Sequence, residues 1–166
     1  FNGMAEASQP IISISYGSGW YGRMKAVDRV AMATAVLFSL AVYGVILLFP
    51  GQIIGLFIST DARVLAIGVP AVMLYFLSLP FTGANTILMY YFQSIEQSLC
   101  TTAIALLRGI VLVYLALRAF SALWGLSGVW LALFAAEALT FAIFFPVKLR
   151  LNRGFRDTDD GPKQSL

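Results

Sequence analysis

The chain has 166 residues, 60% of them apolar and only 11% charged, with a mean hydropathy of +0.85. Soluble domains carry about 45–50% apolar and about 25% charged residues. A chain this short leaves a large share of its surface in contact with solvent, so lipid is the solvent that makes this composition stable. The net charge of +3 and pI near 9.2 would suit nucleic acid, but the basic residues flank apolar runs, which is the juxtamembrane pattern. Nucleic acid is therefore excluded, and membrane lipid is the expected partner.

There is no histidine, and Cys100 is the single cysteine. His-based catalysis, a disulfide framework and a multi-cysteine metal site fall away together. Cys100, beside Thr101 and Thr102, reads as a small apolar filler. The loops carry no nucleophile–base pair or glycine-rich phosphate loop. An enzyme is not expected, nor is a cofactor or a bound metal.

In chain order, the sequence predicts about five transmembrane helices in an all-α integral membrane protein. The first covers about residues 1–17 and closes on Gly17-Ser18-Gly19, which break helices well. Basic residues Arg23, Lys25 and Arg29 follow, read as a loop. The second span, about 30–49, carries no charge and stops at Pro50-Gly51. A short interfacial helix is expected over Ile53–Ile58, with Thr60 and Asp61 suited to capping the next helix. The third span, about 68–92, lies in an uncharged run from Val64 in which Pro70, Pro80 and Gly83 predict a kink or tilt. The fourth covers about 99–118 and the fifth about 123–147. Residues 1–149 thus form one transmembrane bundle, and 150–166 a polar tail expected to be disordered.

Charge placement checks the count. With the loop of Arg23, Lys25 and Arg29 inside, four further crossings bring Lys148, Arg150, Arg153, Arg156 and Lys163 inside as well. Only Arg63 and Arg118 then face outward, as the positive-inside rule expects. The implied location is a plasma or inner cell membrane, with a cytoplasmic C-terminus. Phe1 opens inside an apolar stretch with no charged leader, so the chain is expected to be a piece of a longer protein that begins partway through a helix.

A charge at the bilayer centre costs about 2.5–3.5 kcal/mol on insertion scales, so it needs a partner or a watery cavity. Glu6, Arg108 and Glu137 all fall near the middle of expected spans. As carboxylates, Glu6 and Glu137 are candidate proton or cation carriers. Arg108 is a candidate for a buried ion pair with Glu137 or Glu6. Gln9 sits beside Pro10, whose ring removes a backbone donor and frees a carbonyl one turn back, so the pair is a candidate kink lining a cavity. Asn85 and Gln93 are suited to bridging helices or binding substrate. Tyr16, Trp20 and Tyr21 at one interface, and Phe120 and Trp124 at the other, read as headgroup anchors.

Gln9-Pro10-Ile11-Ile12-Ser13 followed by Tyr16-Gly17 and Arg23 resembles a motif of the multidrug and toxin extrusion (MATE) transporters, where it closes the second helix of each six-helix half. Leu56-Phe57 through Thr60-Asp61, then Val64-Leu65 and Gly68, resembles that family's link between its ninth and tenth helices. Phe92-Gln93-Ser94 with Leu107-Arg108 resembles its tenth-to-eleventh connection, and Gly125-Leu126-Ser127-Gly128-Val129-Trp130 with Glu137 resembles its last helix. The resemblance implies most of the C-terminal six-helix bundle of a twelve-helix transporter, with the N-terminal half elsewhere in the same chain as its partner. It implies secondary active efflux of lipophilic or cationic drugs in exchange for H⁺ or Na⁺. Lipid-linked oligosaccharide or polysaccharide flipping, within the same superfamily, is the alternative; a non-transporting membrane subunit is a third reading, disfavoured by the three intramembrane charges. In one respect the sequence departs from the family. Some members carry an acidic residue in the middle of the tenth helix, whereas Phe81-Thr82-Gly83-Ala84-Asn85 offers only Thr82 and Asn85.

Overall fold

A computed structural model describes residues 1–56 and 62–155. Every regular element among them is helical: α1 (Asn2–Gly17), α2 (Tyr21–Leu48), α3 (Pro50–Gly55), α4 (Ala62–Phe76), α5 (Leu79–Ser94), α6 (Ser98–Leu106), a π-helical segment (Leu107–Val111) and α7 (Leu112–Gly154). Among the described residues, three stretches are long and apolar enough to cross a membrane: Tyr21–Leu48, Leu65–Ser94 and the 57 residues of Ser98–Gly154.

That last stretch is a hairpin. At ~1.5 Å per residue, a straight helix would hold Arg108 and Glu137 about 43 Å apart. Instead Arg108 Nε lies 2.7 Å from Glu137 Oε1. The chain reverses at Gly125, whose φ of 57° and ψ of −131° lie outside the helical region and in one that a Cβ would strain. Three residues on, Gly128 admits the other arm: a Cβ placed there would meet the Phe120 carbonyl oxygen at 2.0 Å. Each arm, 98–124 and 126–154, is long enough to span a ~30 Å hydrocarbon core. The helix continues past Arg118, the expected outer end of the fourth span, because a single glycine makes the turn and no polar linker is needed. Together with α1, α2 and the α4–α5 column, the two arms give five helical columns.

α1 ends where the glycines predict. Gly19 takes φ 74° and the Trp20 amide donates to the Ser15 carbonyl at 2.8 Å. α2 starts at Tyr21, well before the expected Val30, so Arg23, Lys25 and Arg29 lie on a helix and not in a loop. Lys and Arg are good helix formers, and hydropathy marks only the apolar part of such a helix. With 28 residues, α2 is about 42 Å long, longer than a ~30 Å core, and its basic first turns reach headgroup level.

The short helix after α2 covers Pro50–Gly55 with Pro50 in its first turn. The expected cap at Thr60 and Asp61 lies outside the described residues. The third column is two helices broken at Leu77–Ser78, with Pro80 in the first turn of α5. Pro80 thus starts a helix rather than kinking one, a position its fixed φ suits. Pro10 and Pro70 do lie inside helices α1 and α4. α7 runs on to Gly154, past the polar composition that suggested its end near 147.

α5 lies at the centre, packed on α1, α2 and α7. One apolar core joins Ile12, Met24, Leu88, Tyr91, Phe92 and Phe144, and Cys100 packs at its edge. Elsewhere the contacts are made by small residues: Ala132, Ala136 and Thr140 recur every fourth position on α7 and are fully buried, as are Ala5 and Ala35. Helices in lipid associate by such close approach, because apolar surface alone gains nothing there. Large side chains such as Leu37, Phe38, Leu48, Leu99 and Leu123 point outward. Small and polar residues thus share the helix contacts with the apolar core, while many bulky apolar side chains face outward, as lipid allows.

Candidate functional site

Three of the candidate residues meet between α5 and the two arms of the hairpin. Glu137 is the hub. One carboxylate oxygen takes the Arg108 Nε at 2.7 Å; the other takes Asn85 Nδ2 at 2.7 Å, and the same amide donates to the Glu137 backbone carbonyl at 2.9 Å. Those two acceptors fix the orientation of the Asn85 amide. Its Oδ1 is left buried with no donor among the described residues. Arg108 pairs with Glu137 and not with Glu6.

Arg108 is presented by an irregularity. It lies in the five-residue π-helical segment, where the Leu112 amide donates to Leu107. Such single-turn expansions occur often at functional sites, because they rotate the side chains on either side. Neither composition nor periodicity signals this segment.

α5 supplies a polar edge. Arg108 Nη1 donates to Thr86 Oγ1 at 3.3 Å, Thr86 donates to the Thr82 carbonyl at 2.8 Å, and Thr82 donates to the Ser78 carbonyl at 3.1 Å. Ser78, Thr82 and Thr86 recur at intervals of four, so they share one helix face. That stripe is legible in the sequence, although only Thr82 drew attention there. The hydroxyls bond their own helix and still offer lone pairs outward. Ser78 and Thr82, together with Arg108 and Glu137, line a cavity of about 450 Å³, closed on its apolar side by Tyr75, Met89 and Leu133. The ion-pair side chains remain 22% and 14% exposed for Arg108 and Glu137, so the cluster faces this space rather than sitting sealed in a core.

The other candidates lie apart. Glu6 is exposed on α1, with Tyr90 Oη 3.4 Å from its Oε1. Gln9 is half-buried, one residue before Pro10 on the same helix. Neither joins the Glu137 cluster.

A second charged cluster was not anticipated. Asp28, hidden in the sequence among basic neighbours, accepts from Lys148 at 2.6 and 2.7 Å through its two oxygens. Both side chains are almost fully buried. The Lys148 ammonium also lies 4.8 Å from the centre of the Tyr91 ring, and the Tyr91 hydroxyl donates to Asn152 at 2.5 Å. Beside this cluster, Lys25 donates to the Phe155 carbonyl at 2.8 Å, and Phe155 stacks on Tyr21 with centroids 4.9 Å apart. Lys148 is thus an internal residue tying α7 to α2, and not a free cation of a basic tail.

The MatE family model matches residues 1–117. No curated protein matches the chain. Among solved structures, the chain is similar to a multidrug resistance MATE family transporter of the MOP superfamily in an outward-facing conformation, at TM-score 0.84 and 21% identity over 94% of this chain and 35% of that one. An inward-facing conformation, also described as a multidrug resistance MATE family transporter, gives TM-score 0.85 and 20% identity over 95% and 37%. A MATE in complex with MaL6 gives 0.84 and 19% over 94% and 36%. The chain spans about a third of the length of each. With the family model covering the first two-thirds of the sequence and the fold repeated through the last arm, the chain belongs to the MATE family of membrane transporters.

Proposed function

We propose that this chain forms most of the C-terminal bundle of a secondary active multidrug exporter, and that H⁺ or Na⁺ drives export through Glu137. The observation that carries this reading is the Asn85–Glu137–Arg108 cluster on the wall of an apolar-backed cavity. A carboxylate held by a fixed guanidinium is a two-state element: a proton or cation arriving at Glu137 competes with Arg108 for the same oxygens. Freed, Arg108 turns to the hydroxyls of α5. That exchange couples occupancy of the site to the packing of α5 against the hairpin, while lipophilic cations dock against Tyr75, Met89 and Leu133. The missing half of the transporter closes the other side of the cavity, and rocking of the two bundles moves it across the bilayer. The basic end of the bundle faces the cytoplasm, which the placement of Lys and Arg supports.

The test is export by the complete transporter carrying Glu137→Gln, with Glu6→Gln alongside. Cells are loaded with ethidium, and its efflux is followed after a proton or sodium gradient is imposed. Glu137→Gln is expected to stop gradient-driven efflux. Unchanged efflux in both variants removes the carboxylates from the mechanism. If ethidium is never exported while a lipid-linked sugar crosses the membrane, the reading passes to flipping.

A further inference from the structure

At the basic end of the bundle, α2 and the end of α7 enclose a groove of about 590 Å³. Four of its side chains are cationic: Lys25 and Arg29 from α2, Lys148 and Arg153 from α7. Two of the four are committed internally, Lys148 to Asp28 and Lys25 to the Phe155 carbonyl. Arg29 and Arg153 are exposed and form no ion pair or hydrogen bond with the described residues. They flank one opening from opposite helices. Below them the wall turns apolar, through Met32, Val36 and Phe145. These lie one to two turns deeper along the same spans, in the direction of the hydrocarbon core.

From this layout we propose that the groove is a binding site for an anionic phospholipid of the surrounding membrane. The headgroup phosphate is held by the guanidinium groups of Arg29 and Arg153, and an acyl chain lies against Met32, Val36 and Phe145. The chemistry fits at each level. Planar guanidinium forks match phosphate oxygens and bind them bidentately. A basic recess between transmembrane helices at headgroup depth is where anionic lipid concentrates. Free phosphate satisfies the arginines but leaves the apolar wall without an occupant. The Asp28–Lys148 pair lies at the base of the groove and keeps α2 and α7 at the separation the headgroup needs. This site is separate from the Glu137 cavity and does not depend on how transport is coupled.

The experiment is native mass spectrometry of the complete purified transporter, counting retained phosphatidylglycerol and phosphatidylcholine at equal concentrations. Phosphatidylglycerol is expected to be retained in preference, and Arg29→Gln/Arg153→Gln to weaken its retention by about thirtyfold, the product of two charge contacts at the headgroups. Arg118→Gln, which removes an exposed cation elsewhere, is expected to change nothing. Arg29→Lys/Arg153→Lys keeps the charges and is expected to recover part of the loss. Val36→Trp, which fills the apolar wall, should lower retention with both arginines in place. The proposal is overturned if the double Gln variant retains phosphatidylglycerol like the unaltered protein, if Arg118→Gln loses as much, or if inorganic phosphate at equal concentration displaces the lipid.

Discussion

Lys148 and Asp28, 120 residues apart in sequence, form a nearly water-free ion pair with N–O distances of 2.6 and 2.7 Å. Among the described residues, its oxygens and ammonium are satisfied by each other and by the face of Tyr91. Removing one partner strands a buried charge, which costs about 3–5 kcal/mol, whereas replacing both with well-packed apolar groups is often neutral. Asp28→Asn and Lys148→Met are therefore each expected to lower the thermal unfolding midpoint in detergent sharply. The combined Asp28→Leu/Lys148→Met protein should recover most of the loss. A double variant no more stable than the singles would show that the pair does more than close a helix contact.

The hairpin makes a second prediction. Gly128→Ala pushes a methyl group into the Phe120 carbonyl, and since the opposing atom is backbone, relief requires the two arms to separate. A loss of at least about 3 kcal/mol is expected from such overpacking. Gly125→Ala meets open space and suffers from the φ of 57° and ψ of −131° that the turn requires, a strain of about 1–3 kcal/mol. The order of the two, read from unfolding midpoints, tests whether the reversal depends more on close approach or on backbone freedom.

These same residues show what was legible in the sequence. The all-helical, membrane-spanning character followed from hydropathy, because lipid imposes length and composition on every crossing segment. The Arg108–Glu137 pairing was one of two options, since both lie deep in adjacent spans; only the turn at Gly125 selects between Glu137 and Glu6. Asp28 escaped notice because it stands among Arg and Lys at the end of a span, where a charge needs no partner. Its burial comes from α2 starting about two and a half turns sooner than hydropathy indicates, and from α7 extending beyond its apolar run. Both extensions are helical propensity under charged residues, to which a hydropathy window is blind. The π-helical segment at Arg108 leaves no trace in composition at all.

Between α5 and α6 the chain turns at Glu96, which takes φ 60°, the one positive φ on a non-glycine residue among those described. The turn is held by the Gln97 amide donating to the Phe92 carbonyl at 2.9 Å, in the manner of a helix C-terminal cap where glycine is the usual residue. The left-handed conformation costs a side-chain-bearing residue about 1–2 kcal/mol, offset in part by the greater freedom of glycine when unfolded. Glu96→Gly is expected to stabilise the protein by up to about 1 kcal/mol. Thermal unfolding decides it, and a destabilised variant would mean that the carboxylate itself has a role at this turn.

The Glu137 cluster allows the contributions of its members to be ranked. Thr86→Val removes one long hydrogen bond from Arg108, which keeps its carboxylate partner; about 1 kcal/mol is at stake. Asn85→Leu removes both donations to Glu137 from a fully buried position, and leaves a carbonyl and a carboxylate oxygen short of donors, so a loss of about 2–4 kcal/mol is expected. Arg108→Gln leaves Glu137 with the Asn85 amide alone, and should fall between them because the pair is partly exposed and water can replace the guanidinium. Arg108→Gln/Glu137→Gln removes both charges and keeps hydrogen-bonding groups at both positions. Its stability should return close to that of the unaltered protein, since neither charge is stranded. Its transport should not return, because no carboxylate remains for the coupling ion. Measured together, unfolding midpoint and gradient-driven efflux thus separate a packing role from a coupling role: a double variant that is both stable and active makes the pair structural, and one that is stable but inactive makes Glu137 the residue where the ion acts.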